Sequence, residues 1–151
     1  MSENSRDQFV GRWKLESCIG ICGDKHSYPL GVAPFGMLTY TEEYMMVFIS
    51  NDERTRFTTD DIRAIPPEQI ITDFPRFETY CGCYDVDFDE KIISHRIENS
   101  KYPNQIGTVL CRKFNFKRNQ LILRSIDSLL LNNTHWLFEL VWTKQESLHN
   151  V

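Results

Sequence analysis

His95 and Arg112 are the residues of this chain best placed to do chemistry. Each interrupts an apolar set at two-residue spacing: Ile93-x-His95-x-Ile97, and Leu110-x-Arg112-x-Phe114-x-Phe116. An imidazole takes up or releases a proton near neutral pH. A guanidinium grips a carboxylate or enolate oxygen through paired, charge-assisted hydrogen bonds. Phenols expected on the same side, Tyr40, Tyr44 and Tyr84, offer further hydrogen-bond donors. In a catalytic reading His95 is the general acid or base and Tyr84 a donor, while Arg112 stabilises developing negative charge. In a binding reading the pocket is built from Tyr40, Tyr44, Met46, Tyr84, His95, Arg112, Phe114, Trp136 and Trp142. A plainer role stands beside these, His95 as a hydrogen-bonded core residue.

Strands must position these side chains, because period-two alternation dominates the chain. Segments 35–41, 44–49, 77–87, 90–98, 107–117, 120–127 and 135–144 read as strands, with polar turns at Glu42-Glu43, Asp87-Phe88-Asp89-Glu90, Lys117-Arg118-Asn119 and Asn132-Asn133. The inward sets follow from alternation. They are Trp13, Leu15, Ser17 and Ile19 on the first strand, and Tyr44, Met46 and Phe48 on the segment from Tyr44. Tyr80, Gly82, Tyr84 and Val86 share a face of the next, and Trp136, Phe138, Leu140 and Trp142 one of the last. Residues 50–75 break the pattern with charge and Pro66-Pro67, and are expected to form one or two short helical pieces in a lid, the first capped by Thr59 or Asp60. Evenly spaced strands with short turns make an antiparallel meander, and closing it removes exposed edges. The expected fold is all-β: one domain over residues 1–151, a single up-and-down barrel of eight to nine strands.

Several blocks, taken in order, resemble a known family. They are Gly11-x-Trp13 at the mouth of the first strand, Pro29-Leu30-Gly31 with Pro34-Phe35-Gly36-Met37-Leu38-Thr39-Tyr40-Thr41, then Tyr44-Met45 and Tyr80-x-Gly82-x-Tyr84. His95-x-x-Glu98-x-Ser100, Pro103-Asn104-x-x-Gly107-Thr108 and Arg112-x-Phe114 continue the series. Together they resemble the small lipocalin-like domain family of calycin-type barrels across nearly the whole chain. The resemblance implies a barrel with Trp13 at its closed end and a central pocket; such barrels commonly cover that tryptophan with an arginine, which gives Arg112 a plainer role, stacked on Trp13. It implies an activity far less firmly, since function does not travel with a fold. Where relatives tend to carry a second histidine after the one at 95, this chain has Arg96, which lowers the enzymatic reading.

Composition narrows the rest. At 151 residues the chain can bury a core and still leave a ligand-sized hollow. A formal charge of −4 with scattered Lys and Arg argues against nucleic acid as a partner. No run approaches the ~20 apolar residues of a membrane helix, and no secretory h-region is visible, so the expected location is cytoplasmic. Five cysteines, an odd number, fit free thiols in a reducing compartment. Their spacings suit strands better than a metal knuckle, and the dispersed glycines form no phosphate or dinucleotide loop. No metal and no cofactor are expected. The first functional expectation is therefore a barrel binding a small hydrophobic or aromatic, acidic ligand. The alternative is a cofactor-free barrel enzyme, an isomerase, cyclase or dehydratase acting on a small biosynthetic intermediate.

Overall fold

The computed structural model describes residues 4–147. Its strands are β1 (Gly11–Cys22), β2 (Lys25–Ser27), β3 (Phe35–Tyr40), β4 (Tyr44–Ser50), β5 (Phe77–Asp87), β6 (Ile92–Ser100), β7 (Val109–Lys117), β8 (Gln120–Ser125), β9 (Leu129–Leu131) and β10 (Thr134–Lys144). Eight of them, β1-β3-β4-β5-β6-β7-β8-β10, form an antiparallel up-and-down ring that closes where β10 pairs with β1. β2 and β9 are short ribbons paired to β1 and β10, and neither was expected from the sequence. The helical connection reduces to α1 (Pro67–Asp73) followed by a 3-10 turn, Phe74–Arg76. The earlier helical piece does not form: Thr59 Oγ1 accepts from the Asp61 amide at 3.1 Å in a local turn, and α1 has no side-chain cap. Asn51 N–H donates to Arg76 O at 2.8 Å, tying the two ends of this segment together.

Two inward sets differ from simple alternation, for different reasons. In β1 the register against β10 shifts between Leu15 and Ser17. This one-residue bulge turns Cys18 inward and moves Ser17 and Ile19 to the outer face. In β4 the whole phase is reversed: Tyr44 and Met46 are 53% and 60% exposed, while Met45, Val47 and Ile49 are buried. Met45 pairs with Tyr40 and Val47 with Leu38, and paired residues share a face. The cause is the tight connection, in which Thr41 Oγ1 accepts from the Tyr44 amide at 2.9 Å. Tyr44 and Met46 therefore do not belong to the interior.

Aromatic packing closes one end. A 3-10 turn, Arg6–Gln8, is capped by Ser5 and leads to Phe9, which is wholly buried. Phe9 meets Tyr40, Phe114 and Phe116 edge-on, with ring centroids 5.5, 5.0 and 4.9 Å away. Trp13 Nε1 donates to Phe9 O at 2.8 Å, fixing the entering chain to the first strand. The cation over the Trp13 ring is Lys144, at 4.7 Å, which corrects the expectation that Arg112 would stack there. On β5, Gly82 is required by close approach: a Cβ there would lie 1.8 Å from Arg96 O, beside the register shift opposite Cys81. Because Trp13 is buried, hydrogen-bonded and central to the plug, Trp13→Ala should destabilise the fold by roughly 3–5 kcal/mol. Denaturant titration measures this directly, and a change near zero would show that the plug is dispensable.

Candidate functional site

Since the plug fills the lower part of the barrel, a cavity of about 480 Å³ is left above it. Its walls are mainly apolar, with Leu38, Val47, Ile49, Leu110, Leu123, Phe138 and Leu140 prominent. The mouth is formed by Pro29, Leu30, Pro75, Gln105, Leu129 and Asn132 from the connecting segments. Polar groups are few: Glu78, Tyr80, His95 and Arg112 reach the cavity, with the indole of Trp142 beside them. An apolar hollow with a few placed polar groups has the form of a small-molecule site.

His95 is 1% exposed and sits between two phenols. Its Nε2 lies 2.7 Å from Tyr40 Oη and its Nδ1 3.2 Å from Tyr80 Oη. Burial, seconded by the positive charge of Arg112, pushes its pKa down to about 3, so the imidazole is neutral. Burial raises the pKa of both Tyr40 and Tyr80, with Arg112 opposing that rise. Arg112 lies opposite Ile93, one inward position nearer the closed end than Leu110. Its Nη1 donates to Cys111 O at 3.1 Å, and no carboxylate stands within 4.0 Å of it among the described residues. Trp142 is 1% exposed, and its Nε1 has no hydrogen-bond partner among the described residues. Glu78 has its pKa raised by burial, partly offset by Lys101, whose ammonium is 3.5 Å away.

The remaining expected site residues are distributed as follows. Tyr40, His95, Arg112 and Trp142 are brought together in and around the cavity. Tyr84 points inward but below it: its hydroxyl donates to Thr41 O at 2.6 Å, and Arg6 stacks on its ring at 4.4 Å. That placement removes Tyr84 as a donor to a bound molecule. Phe114 belongs to the plug through Phe9. Trp136 is half-buried near Gly20 and Phe138, outside the cavity lining. Tyr44 and Met46 face outward. Tyr80, Glu78 and Cys18 line the cavity without having been singled out. Tyr80 was legible, since alternation already placed it inward on the strand beside His95. Cys18 lay behind the bulge, and burial pushes its thiol pKa up to about 12, making it unreactive. Among the described residues no cluster of His, Cys, Asp or Glu could hold a metal ion, and no helix is long and apolar enough to cross a membrane.

A closed eight-stranded meander, plugged at one end and with an apolar cavity above the plug, defines the class of antiparallel up-and-down barrels, whose interiors side chains can fill or one small ligand can occupy. Within that class the chain belongs to the lipocalin-like domain family, whose sequence profile matches residues 10–145. No curated protein and no solved structure matches the chain.

The buried imidazole has a measurable consequence for stability. Its folded-state pKa, about 3, lies below the ordinary 6.5. The unfolded chain therefore binds the proton first as pH falls, so His95 contributes stability above pH 6.5 that is progressively lost between 6.5 and 3. The contribution is one proton, about 1.4 kcal/mol per pH unit. Unfolding free energies of the wild type and of His95→Gln, measured across that window, should differ in slope by this amount. Parallel slopes would mean that the imidazole titrates normally in the fold.

Proposed function

We propose that this barrel binds a small hydrophobic or aromatic molecule carrying an acidic group, with its apolar body in the cavity and its anion at Arg112. The observation that carries the reading is a guanidinium in an apolar cavity with no carboxylate within 4.0 Å among the described residues. A partly buried cation without a partner is costly, and a ligand anion relieves that cost. Membership of the lipocalin-like family supports a small-molecule role. A cavity of about 480 Å³ accommodates a medium-chain fatty acid or a two-ring aromatic acid. Glu78 at the mouth does not oppose this, because Lys101 lies beside it.

The enzymatic alternative has one specific observation in its favour, the polar group of Tyr80, His95 and Arg112 at one place in the cavity. Against it, an imidazole whose pKa is pushed down to about 3 is a weak base at neutral pH. Binding is therefore the preferred reading.

Decanoate and decanol, which share a tail and differ in charge, test it by calorimetry or probe displacement. Arg112→Met should weaken decanoate binding about tenfold or more, the range for a hydrogen-bonded charge, and leave decanol within about twofold. Equal losses for both would assign the arginine to the fold.

We also place the protein in the cytoplasm. All five cysteines are free thiols in the structure, which fits a reducing compartment. Thiol titration of freshly purified protein, denatured without reductant, should return all five; three or fewer would reject that location.

A further inference from the structure

We propose that Tyr80 is a fixed hydrogen-bond donor to the head group of the bound molecule, its proton turned into the cavity by Tyr40 and His95. This rests on the ligand-binding reading above and refines it. The ligand's head must be an acceptor, such as a carboxylate, enolate or conjugated carbonyl, and not an ammonium group.

Counting protons carries the argument. A neutral imidazole has one N–H, and each phenol one O–H. Two hydrogen bonds, one between Tyr40 Oη and Nε2 and one between Tyr80 Oη and Nδ1, join the three side chains. Two of the three protons lie in those bonds, and the third must project from one end of the chain. If Nε2 carries the imidazole proton, the spare one is on Tyr40. Tyr40 is 1% exposed and lies against the rings of Tyr84 and Phe9, at 4.8 and 5.5 Å, while the Tyr84 hydroxyl is already spent on Thr41 O. That proton would have no acceptor among the described residues, a costly state for a buried hydroxyl. If Nδ1 carries the proton instead, Tyr40 O–H donates to Nε2, Nδ1–H donates to Tyr80 Oη, and the spare proton is on Tyr80. Tyr80 lines the cavity.

The bond lengths agree with the second arrangement. O–H donors make shorter bonds than N–H donors, and the Tyr40 contact is 2.7 Å against 3.2 Å for Tyr80. Arg112, close enough to act electrostatically on both Tyr80 and His95, and Trp142, with its unpartnered Nε1, add two more donors to the cavity. Tyr40 and His95 are thus positioning residues, and Tyr80 determines specificity.

The imidazole tautomer is the decisive measurement and needs no ligand. In ¹⁵N-labelled protein at pH 7, two-bond nitrogen–proton correlations should show His95 with a protonated Nδ1 and a bare Nε2. Assignment is by loss of the resonances in His95→Gln, or by through-bond correlation to the His95 backbone if that variant does not fold. A protonated Nε2 overturns the proposal. With the expected tautomer, Tyr80→Phe should weaken decanoate binding roughly tenfold, as for a hydrogen bond to a charged group, while decanol changes less. Unchanged decanoate affinity in Tyr80→Phe would overturn Tyr80's part in specificity. If wild-type protein binds no decanoate at all, the acidic-ligand reading fails on its own, and the tautomer result still decides the direction of the chain.

Discussion

An eight-stranded barrel has an interior that side chains can fill or that can hold one small ligand. Phe9 sets which part of this one is filled. Its ring is wholly buried at the closed end and gathers Tyr40, Phe114 and Phe116 around it, while its carbonyl fixes the Trp13 indole. The closed end around Phe9 is consequently dense, and the cavity lies on the other side of that packing. The packing at the closed end thus centres on a residue that precedes the first strand. It is held by packing and by one hydrogen bond to a strand residue.

That packing creates the electrostatic problem that the site resolves. A histidine just above an aromatic plug loses its hydration and with it the charged form. Two phenols satisfy its nitrogens, so a neutral polar group persists where an ionised one would not. Arg112 cannot escape in the same way, because a guanidinium stays protonated. The cavity therefore combines one polar group whose needs are met within the protein and one whose needs are only partly met. The contrast between them, more than the number of polar groups, is what supports the anionic ligand proposed for the site.

Much of this architecture was readable in advance, and the failures are instructive. Alternation placed His95, Arg112, Tyr80 and Trp142 inward because the opposite faces of their strands carry most of the charged and polar residues, such as Asp85, Arg96, Lys113 and Glu139. The β4 segment Tyr44-Met45-Met46-Val47-Phe48-Ile49 is apolar on both faces, so periodicity carried no phase information. The turn did: a two-residue Glu42-Glu43 connection sets Thr41 opposite Tyr44 and hence Tyr40 opposite Met45. Using the turn before the pattern would have kept Tyr44 and Met46 outside. The bulge after Leu15 left no comparable mark, since Ser17, Cys18, Ile19 and Gly20 offer small or apolar groups to either side. Arg112 was the residue expected over Trp13, and it is the pairing of β10 with β1 that brings Lys144 there instead. Tyr84, directly opposite His95 in the register, is not its hydrogen-bond partner; Tyr80 and Tyr40 are. Strand pairing identifies neighbours, but where a long side chain's polar tip ends depends on how it leans.

The sealed floor makes the barrel a flask and not a tube. Water leaving it must pass the same neck through which a guest arrives, so filling and emptying share one route. In the proposed binding mode a guest held by its charged end at Arg112 goes in charge first and leaves its tail toward the neck, where Pro29, Leu30, Pro75 and Leu129 lie. Selection then falls on the end that enters, and the trailing end is free to vary in length up to and beyond the rim. A series of homologous acids would accordingly be sorted by the chemistry of their heads and only weakly by the number of carbons behind them.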